Sequence, residues 1–148
     1  MDDTDRRILN RIQSDFPVTP RPYAAIAEEL GLTERDVLNR VRRLKAAGII
    51  RRIGGNCSPD KLGYVSTLCA AKVPEDRIDH FAEVVNRFPG VTHNYLRESH
   101  YNIWFTIIAP TVDDIEDHLS VISQDTGVTD ILNLPATHVF KIRAKFRV

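Results

Sequence analysis

The chain has 148 residues, 20 Lys+Arg against 20 Asp+Glu, with 43% hydrophobic and 7% aromatic residues. That length builds one ordinary domain or two small ones, and so apolar a chain with no net charge is not a disordered one. No run approaches the roughly 18 apolar residues of a membrane span. The acidic start Met1-Asp2-Asp3 does not read as a signal peptide, and two cysteines, Cys57 and Cys69, speak against a disulfide framework or a Cys-rich zinc site, so a cytoplasmic protein is expected.

Charge divides mildly along the chain. Residues 1–53 hold 11 Lys+Arg and 8 Asp+Glu, net +3, and residues 54–148 hold 9 and 12, net −3. A DNA-binding half is normally more basic than this.

The first part reads as three helices and a wing. After the acidic start, Ile8, Leu9 and Ile12 recur at helical spacing up to about Asp15. Pro17, Pro20 and Pro22 must break that helix, since each removes a donor and fixes φ. A second helix is expected over 23–30, with Ile26 and Leu30 inward and Gly31 as its cap. Thr33 reads as the N-cap of a third, running to about Ala47, with Val37, Leu38, Val41 and Leu44 on one stripe and Arg35, Arg42, Arg43 and Lys45 outside it. Gly48 closes it, and 49–53 is expected to open a short wing strand. The pattern predicts a winged helix-turn-helix over 1–55.

The second part alternates strand and helix. Strands are expected over 64–73, 92–97 and 101–109, and further extended segments over 128–134 and 138–148. Helices are expected over 75–88 and from Thr111 to near Gly127. The order β-α-β-β-α-β predicts a ferredoxin-like domain over 62–148, for an α+β protein of two modules. A linker falls near 56–62.

Strand alternation sorts the faces. Tyr101, Ile103, Phe105 and Ile107 form an apolar face for the helices, leaving Asn102, Trp104, Thr106 and Ile108 opposite. His93, Tyr95 and Arg97 share one face of their strand. In the last segment Lys141, Arg143, Lys145 and Arg147 form a row of cations behind Phe140, Ile142, Ala144 and Phe146. A sheet face offering an indole, a phenol, an imidazole and cations suits a flat polyanion. Taken singly, a Lys/Arg row is more often a solvated edge, and Trp104 more often packing. His80 and His118 read as solvent-facing and His138 as structural. No phosphate-cradling loop, Gly-x-Ser-x-Gly elbow or His-Glu-x-x-His pair occurs. Any catalysis must run through histidine, tyrosine and cations.

The whole chain resembles the Lrp/AsnC architecture through Asp3-x-Asp5-Arg6-Arg7-Ile8-Leu9, the 26–33 turn, Val41-x-x-Leu44 and Gly48-Ile49-Ile50. Other stretches resemble a narrower family, the siroheme decarboxylase subunits. These are Phe16-Pro17 with Arg21-Pro22-Tyr23, the 48–54 wing, Leu62-Gly63-Tyr64, and above all Thr92-His93-Asn94-Tyr95-Leu96-Arg97 followed by Tyr101-Asn102-Ile103-Trp104-Phe105-Thr106, with Pro135 and Phe140-Lys141-Ile142 beyond.

The resemblance implies decarboxylation of the C12 and C18 acetate arms of siroheme to methyl groups, giving didecarboxysiroheme, in the alternative heme or heme d1 pathway. It implies a homologous partner subunit, so a heterodimer, and no cofactor beyond the iron tetrapyrrole substrate. Losing CO₂ from a pyrrole acetate leaves an electron pair on a ring-bound CH₂, which then needs a proton. His93 and His100 are the candidate acids, with Tyr95 assisting, because imidazole titrates near neutral pH. Arg97, Lys141 and Arg143 would clamp carboxylates, Trp104 would line the ring slot, and Arg51 and Arg52 would reach the substrate from the wing. A histidine ligating the iron axially is the open alternative. The rival readings are a DNA-binding regulator, supported by Arg35, Arg42, Arg43 and Lys45 but opposed by Glu34 and Asp36 at that helix start, and a tetrapyrrole sensor without catalysis.

Overall fold

The computed structural model describes residues 1–55, 57–141, 146 and 148. It divides into two compact units, Met1–Gly55 with Lys141–Val148, and Asn56–Phe140. Among the described residues no helix is long and apolar enough to cross a membrane.

The first unit holds α1 (Asp3–Ile12), α2 (Pro22–Leu30) and α3 (Glu34–Ala46). Asp2 caps α1 in a reciprocal box with Asp5, and the Thr33 hydroxyl accepts the Asp36 amide at the start of α3. Pro22 opens α2, where its missing N–H costs nothing, and Gly31 ends it at φ 69°. Ile8, Ile26, Val37, Val41 and Leu44 close the core.

Within that core lies a charge. Asp5 is fully buried and accepts from Arg40 at 2.8 Å and Arg43 at 2.7 Å, while Arg40 also meets Asp2 and Asp36. Burial alone would raise the Asp5 pKa, but the Asp2 amide, Arg40 and Arg43 outweigh it and hold the carboxyl below its ordinary range. Arg43, outside the apolar stripe of α3 as expected, is tied down because a buried carboxylate needs compensating donors.

The expected wing strand over 49–53 is not formed. A strand exists only with a ladder partner, and no described segment pairs with it. Asn10 and Gln13 of α1 instead turn their side-chain amides to the peptide groups of Val148 and Phe146, Asn10 Nδ2 donating to the Val148 carbonyl at 2.9 Å and the Phe146 amide donating to Gln13 Oε1 at 3.1 Å.

The second unit contains a short 3₁₀ turn (Asp60–Leu62), β1 (Val65–Ala71), a second turn (Glu75–Arg77), α4 (Ile78–Asn86), β2 (Val91–Leu96), β3 (Ile103–Ala109), α5 (Val112–Thr126) and β4 (Ile131–Pro135). The antiparallel sheet has the order β2-β3-β1-β4, the ferredoxin-like arrangement expected. Ile103, Phe105, Ile107, Cys69 and Ala71 face the helices, meeting Phe81, Val85, Ile115 and Ile122. Phe81 and Phe105 are fully buried with centroids 6.2 Å apart, each contributing about 1.5–3 kcal/mol over exposure. Burial pushes the Cys69 thiol up to about 12, making it an unreactive packing group.

Among the described residues, the strand that closes the sheet is Ile131–Pro135, and 138–141 form none. Ile131–Pro135 takes the free side of β1, and Pro135 has no amide to extend the ladder. Residues 138–141 are outside any strand, and Lys141 is exposed. Arg143, Lys145 and Arg147 lie outside the described residues, as do Ile142 and Ala144.

Candidate active site

The open face of the sheet is set by register. Residues paired directly across antiparallel strands point to the same side. Tyr95 pairs with Trp104, His93 with Thr106, Ala70 with Trp104 on its other flank, and Leu68 with Thr106 and Leu134. All of these point away from α4 and α5, because their neighbours Phe105, Ile107 and Cys69 point toward them. A bulge lies between Val91 and His93. The extra residue restores the phase, so His93 and Tyr95 share the Trp104 face while Val91 still packs on the core.

Around Trp104 the side chains converge. The His93 and Tyr95 rings stack with centroids 5.9 Å apart and planes 29° apart. The Thr92 hydroxyl lies 3.0 Å from His93 Nδ1. Across the strand, the Arg97 guanidinium sits over the indole, 5.8 Å from its centroid. Leu68, Arg97, Glu98, Ser99 and Trp104 line an open depression of about 710 Å³. The Trp104 Nε1–H is spent inside the fold, donating to the Tyr101 carbonyl at 2.7 Å. Trp104 therefore offers a partner its ring face and no hydrogen.

The remaining candidates are spread out. His100 is exposed on the loop between β2 and β3, its ring edge against Tyr101 at 5.2 Å. Arg51 and Arg52 are exposed residues of the N-terminal unit, after α3. His118 is not solvent-facing, as its spacing suggested: its Nδ1 is buried with no hydrogen-bond partner among the described residues, and its ring packs on Phe88 at 5.0 Å. His80 is exposed and lies 3.4 Å from the Asp125 carbonyl. Among the described residues no cluster of three His, Cys, Asp or Glu side chains is placed to hold a metal ion.

The sequence pattern does not single out Glu98, Ser99 or Asn102. The first two lie in a loop, where periodicity carries no signal, and by alternation Asn102 reads as one more residue of the open face.

The AsnC-like ligand binding domain matches residues 61–141, and the siroheme decarboxylase NirDL-like helix-turn-helix domain matches residues 5–51. Across 148 residues the chain is 59% identical to a siroheme decarboxylase alpha subunit of Desulfovibrio desulfuricans, covering 100% of this chain and 85% of that one. The chain belongs to the siroheme decarboxylase subunit family. A second member, the NirDL subunit of Paracoccus denitrificans, is 43% identical over 99% of this chain and 44% of its own length. Among solved structures, siroheme decarboxylase NirDL in complex with an iron-uroporphyrin III analogue superposes with a TM-score of 0.71 at 32% identity, covering 96% of this chain and 48% of that one. This chain thus spans about half of that molecule. An AsnC family transcriptional regulator from Agrobacterium tumefaciens, with a TM-score of 0.80 at 21% identity over 99% of this chain and 96% of its own, shares the fold alone.

Proposed function

We propose that this member of the siroheme decarboxylase family binds siroheme on the open face of its sheet and removes CO₂ from the C12 and C18 acetate arms, working with a homologous subunit as a heterodimer. The observation that carries this reading is the register pairing of Tyr95 with Trp104, which sets an imidazole, an aromatic platform and a guanidinium side by side.

Each residue has a task that its geometry suits. The Trp104 ring face packs against the macrocycle. Arg97 pairs with a carboxylate that must not react, since a guanidinium binds carboxylates in a fixed two-point geometry. In the reacting arm the bond between the CH₂ and the carboxylate breaks and CO₂ departs. Its electron pair stays on the CH₂, spread into the pyrrole system. As an imidazolium, His93 donates its Nδ1 proton to the Thr92 hydroxyl and delivers its Nε2 proton to that carbon, which completes the methyl group and leaves a neutral imidazole. Tyr95 holds the imidazole plane by stacking. Water or buffer then returns the proton to His93.

The test is the decarboxylation rate of His93→Ala and His100→Ala, each assayed separately with the partner present. Loss of activity in the first supports the assignment. Wild-type turnover in the first removes His93 from the mechanism.

A further inference from the structure

The last residues in register between β1 and β3 are Ala71 and Ile103. One step beyond them, Asn102 extends the ladder by other means. Its backbone amide donates to the Ala71 carbonyl at 3.1 Å. Its side chain then grips Val73 on both sides, Nδ2 donating to the Val73 carbonyl at 2.8 Å and Oδ1 accepting the Val73 amide at 2.9 Å. A primary amide is the side-chain group that offers one donor edge and one acceptor like a peptide group. Pro74 follows immediately and could not have continued the pairing itself.

The same residue holds the other side of the hairpin. The Asn102 carbonyl accepts the Arg97 amide at 2.7 Å, closing the 97–102 loop. Its neighbour Tyr101 accepts the Trp104 indole N–H through its carbonyl, and donates its phenol to Asp130 at 3.1 Å. That bond, then burial, raises the Tyr101 pKa, keeping the phenol a donor. Asp130 is itself fixed, its carbonyl accepting the Lys72 amide at 3.0 Å. So the backbone of Arg97 and the indole edge of Trp104 are both referenced to the exit of β1 through residues 101 and 102.

We propose that Asn102 is a positioning residue for the tetrapyrrole: by clamping the 97–102 loop to Val73 it sets Arg97 and the Trp104 ring at the spacing the substrate meets. The proposal rests on the reading of the open face as the substrate site. Asn102 touches neither substrate nor reacting atoms; it acts through its two neighbours.

Trp104 is the single tryptophan of the chain, so its fluorescence reports on this place. In the full chain, Asn102→Ala and Asn102→Asp shift the emission maximum and increase quenching by acrylamide, because the indole edge loses its fixed reference. Assayed as the complex with the partner, both raise the KM for siroheme about tenfold, the loss expected from one or two net hydrogen bonds, with little change in kcat. Asn102→Asp keeps the acceptor for the Val73 amide, so it decides the matter if the alanine variant does not fold. A lowered Tm with emission and KM at wild-type values means a purely structural asparagine and overturns the proposal. Arg97→Gln is measured alongside. If it raises KM while the Asn102 variants do not, only the positioning role falls. If it too leaves KM unchanged, the open face is not the substrate site.

Discussion

Tyr95 and Trp104 are direct partners across the β2/β3 ladder, so phenol and indole stand on the same open side of the sheet. Everything proposed for the site hangs on that pairing. His93 reaches the same side only through the bulge before it, and its stacking on Tyr95 gives the imidazole a defined plane. Turnover should therefore respond unequally to the two ring substitutions. His93→Ala should lower kcat by about 10²–10⁴-fold, the ordinary contribution of a placed acid. Tyr95→Phe, which keeps the stacked ring, should change it little. Single-turnover release of CO₂ compares the two, and equal losses would move the proton-donating role to the phenol.

Among the described residues the Arg97 guanidinium meets a π face and no carboxylate, so its charge is available to an anion. Replacing it by Gln should weaken siroheme binding by about ten- to a hundredfold, the worth of a charge-assisted pair. Arg97→Lys should restore only part, since an ammonium lacks the planar fork. Titration of the visible spectrum measures both. Unchanged affinity in the Gln variant would remove the clamp.

Much of this arrangement is legible in the sequence, and the exceptions have physical reasons. The alternation of Ile103, Phe105 and Ile107 with Trp104 and Thr106 assigns both faces of β3 correctly, because one face is buried and the period is strict. The same argument does not carry for the described residues 138–141, which form no strand. Alternation states which face a strand would show, but not whether a partner edge is left for it, and β4 already occupies that edge of β1. The 49–53 wing fails likewise. The Asp5 network and the Asn102 clamp are beyond pattern reading for a different reason. Both depend on groups distant in sequence meeting at one place, the Asp5 carboxylate with Arg40 and Arg43, the Asn102 amide with the backbone N–H and carbonyl of Val73.

Gly90, in the turn after α4, lies against the backbone of Ile108 in β3. A Cβ there would stand 2.0 Å from the Ile108 carbonyl oxygen, whose residue's amide donates to the Gly90 carbonyl at 2.9 Å. Neither backbone can yield without breaking that bond. Gly90→Ala should cost about 1–3 kcal/mol or more, as overpacking against fixed atoms does. Urea unfolding followed by circular dichroism measures it, and a wild-type midpoint would show that the turn relaxes freely.

The carboxylates of the N-terminal unit give a pH signature. Asp2 is held at about 2, chiefly by its hydrogen bond from Arg40, and Asp5 is lowered as well. A carboxyl whose folded pKa lies below its unfolded value stabilises the fold above the unfolded pKa and loses that contribution as pH falls through the folded one. Helical signal should therefore persist at pH 5 and fall between about pH 4 and pH 2, the interval between the ordinary and the lowered values. Asp2→Asn should flatten that loss. An identical acid transition in the variant would mean that other groups set it.

The most direct measurement is anaerobic mixing of the purified chain with siroheme, with and without its homologous partner, followed by the visible spectrum and the mass of the extracted tetrapyrrole. With the partner present, the account predicts a product lighter by two CO₂, the C12 and C18 acetates having become methyl groups, and the same product missing when His93→Ala replaces the wild type. A bound spectrum with the tetrapyrrole recovered at its original mass, partner present, would contradict it.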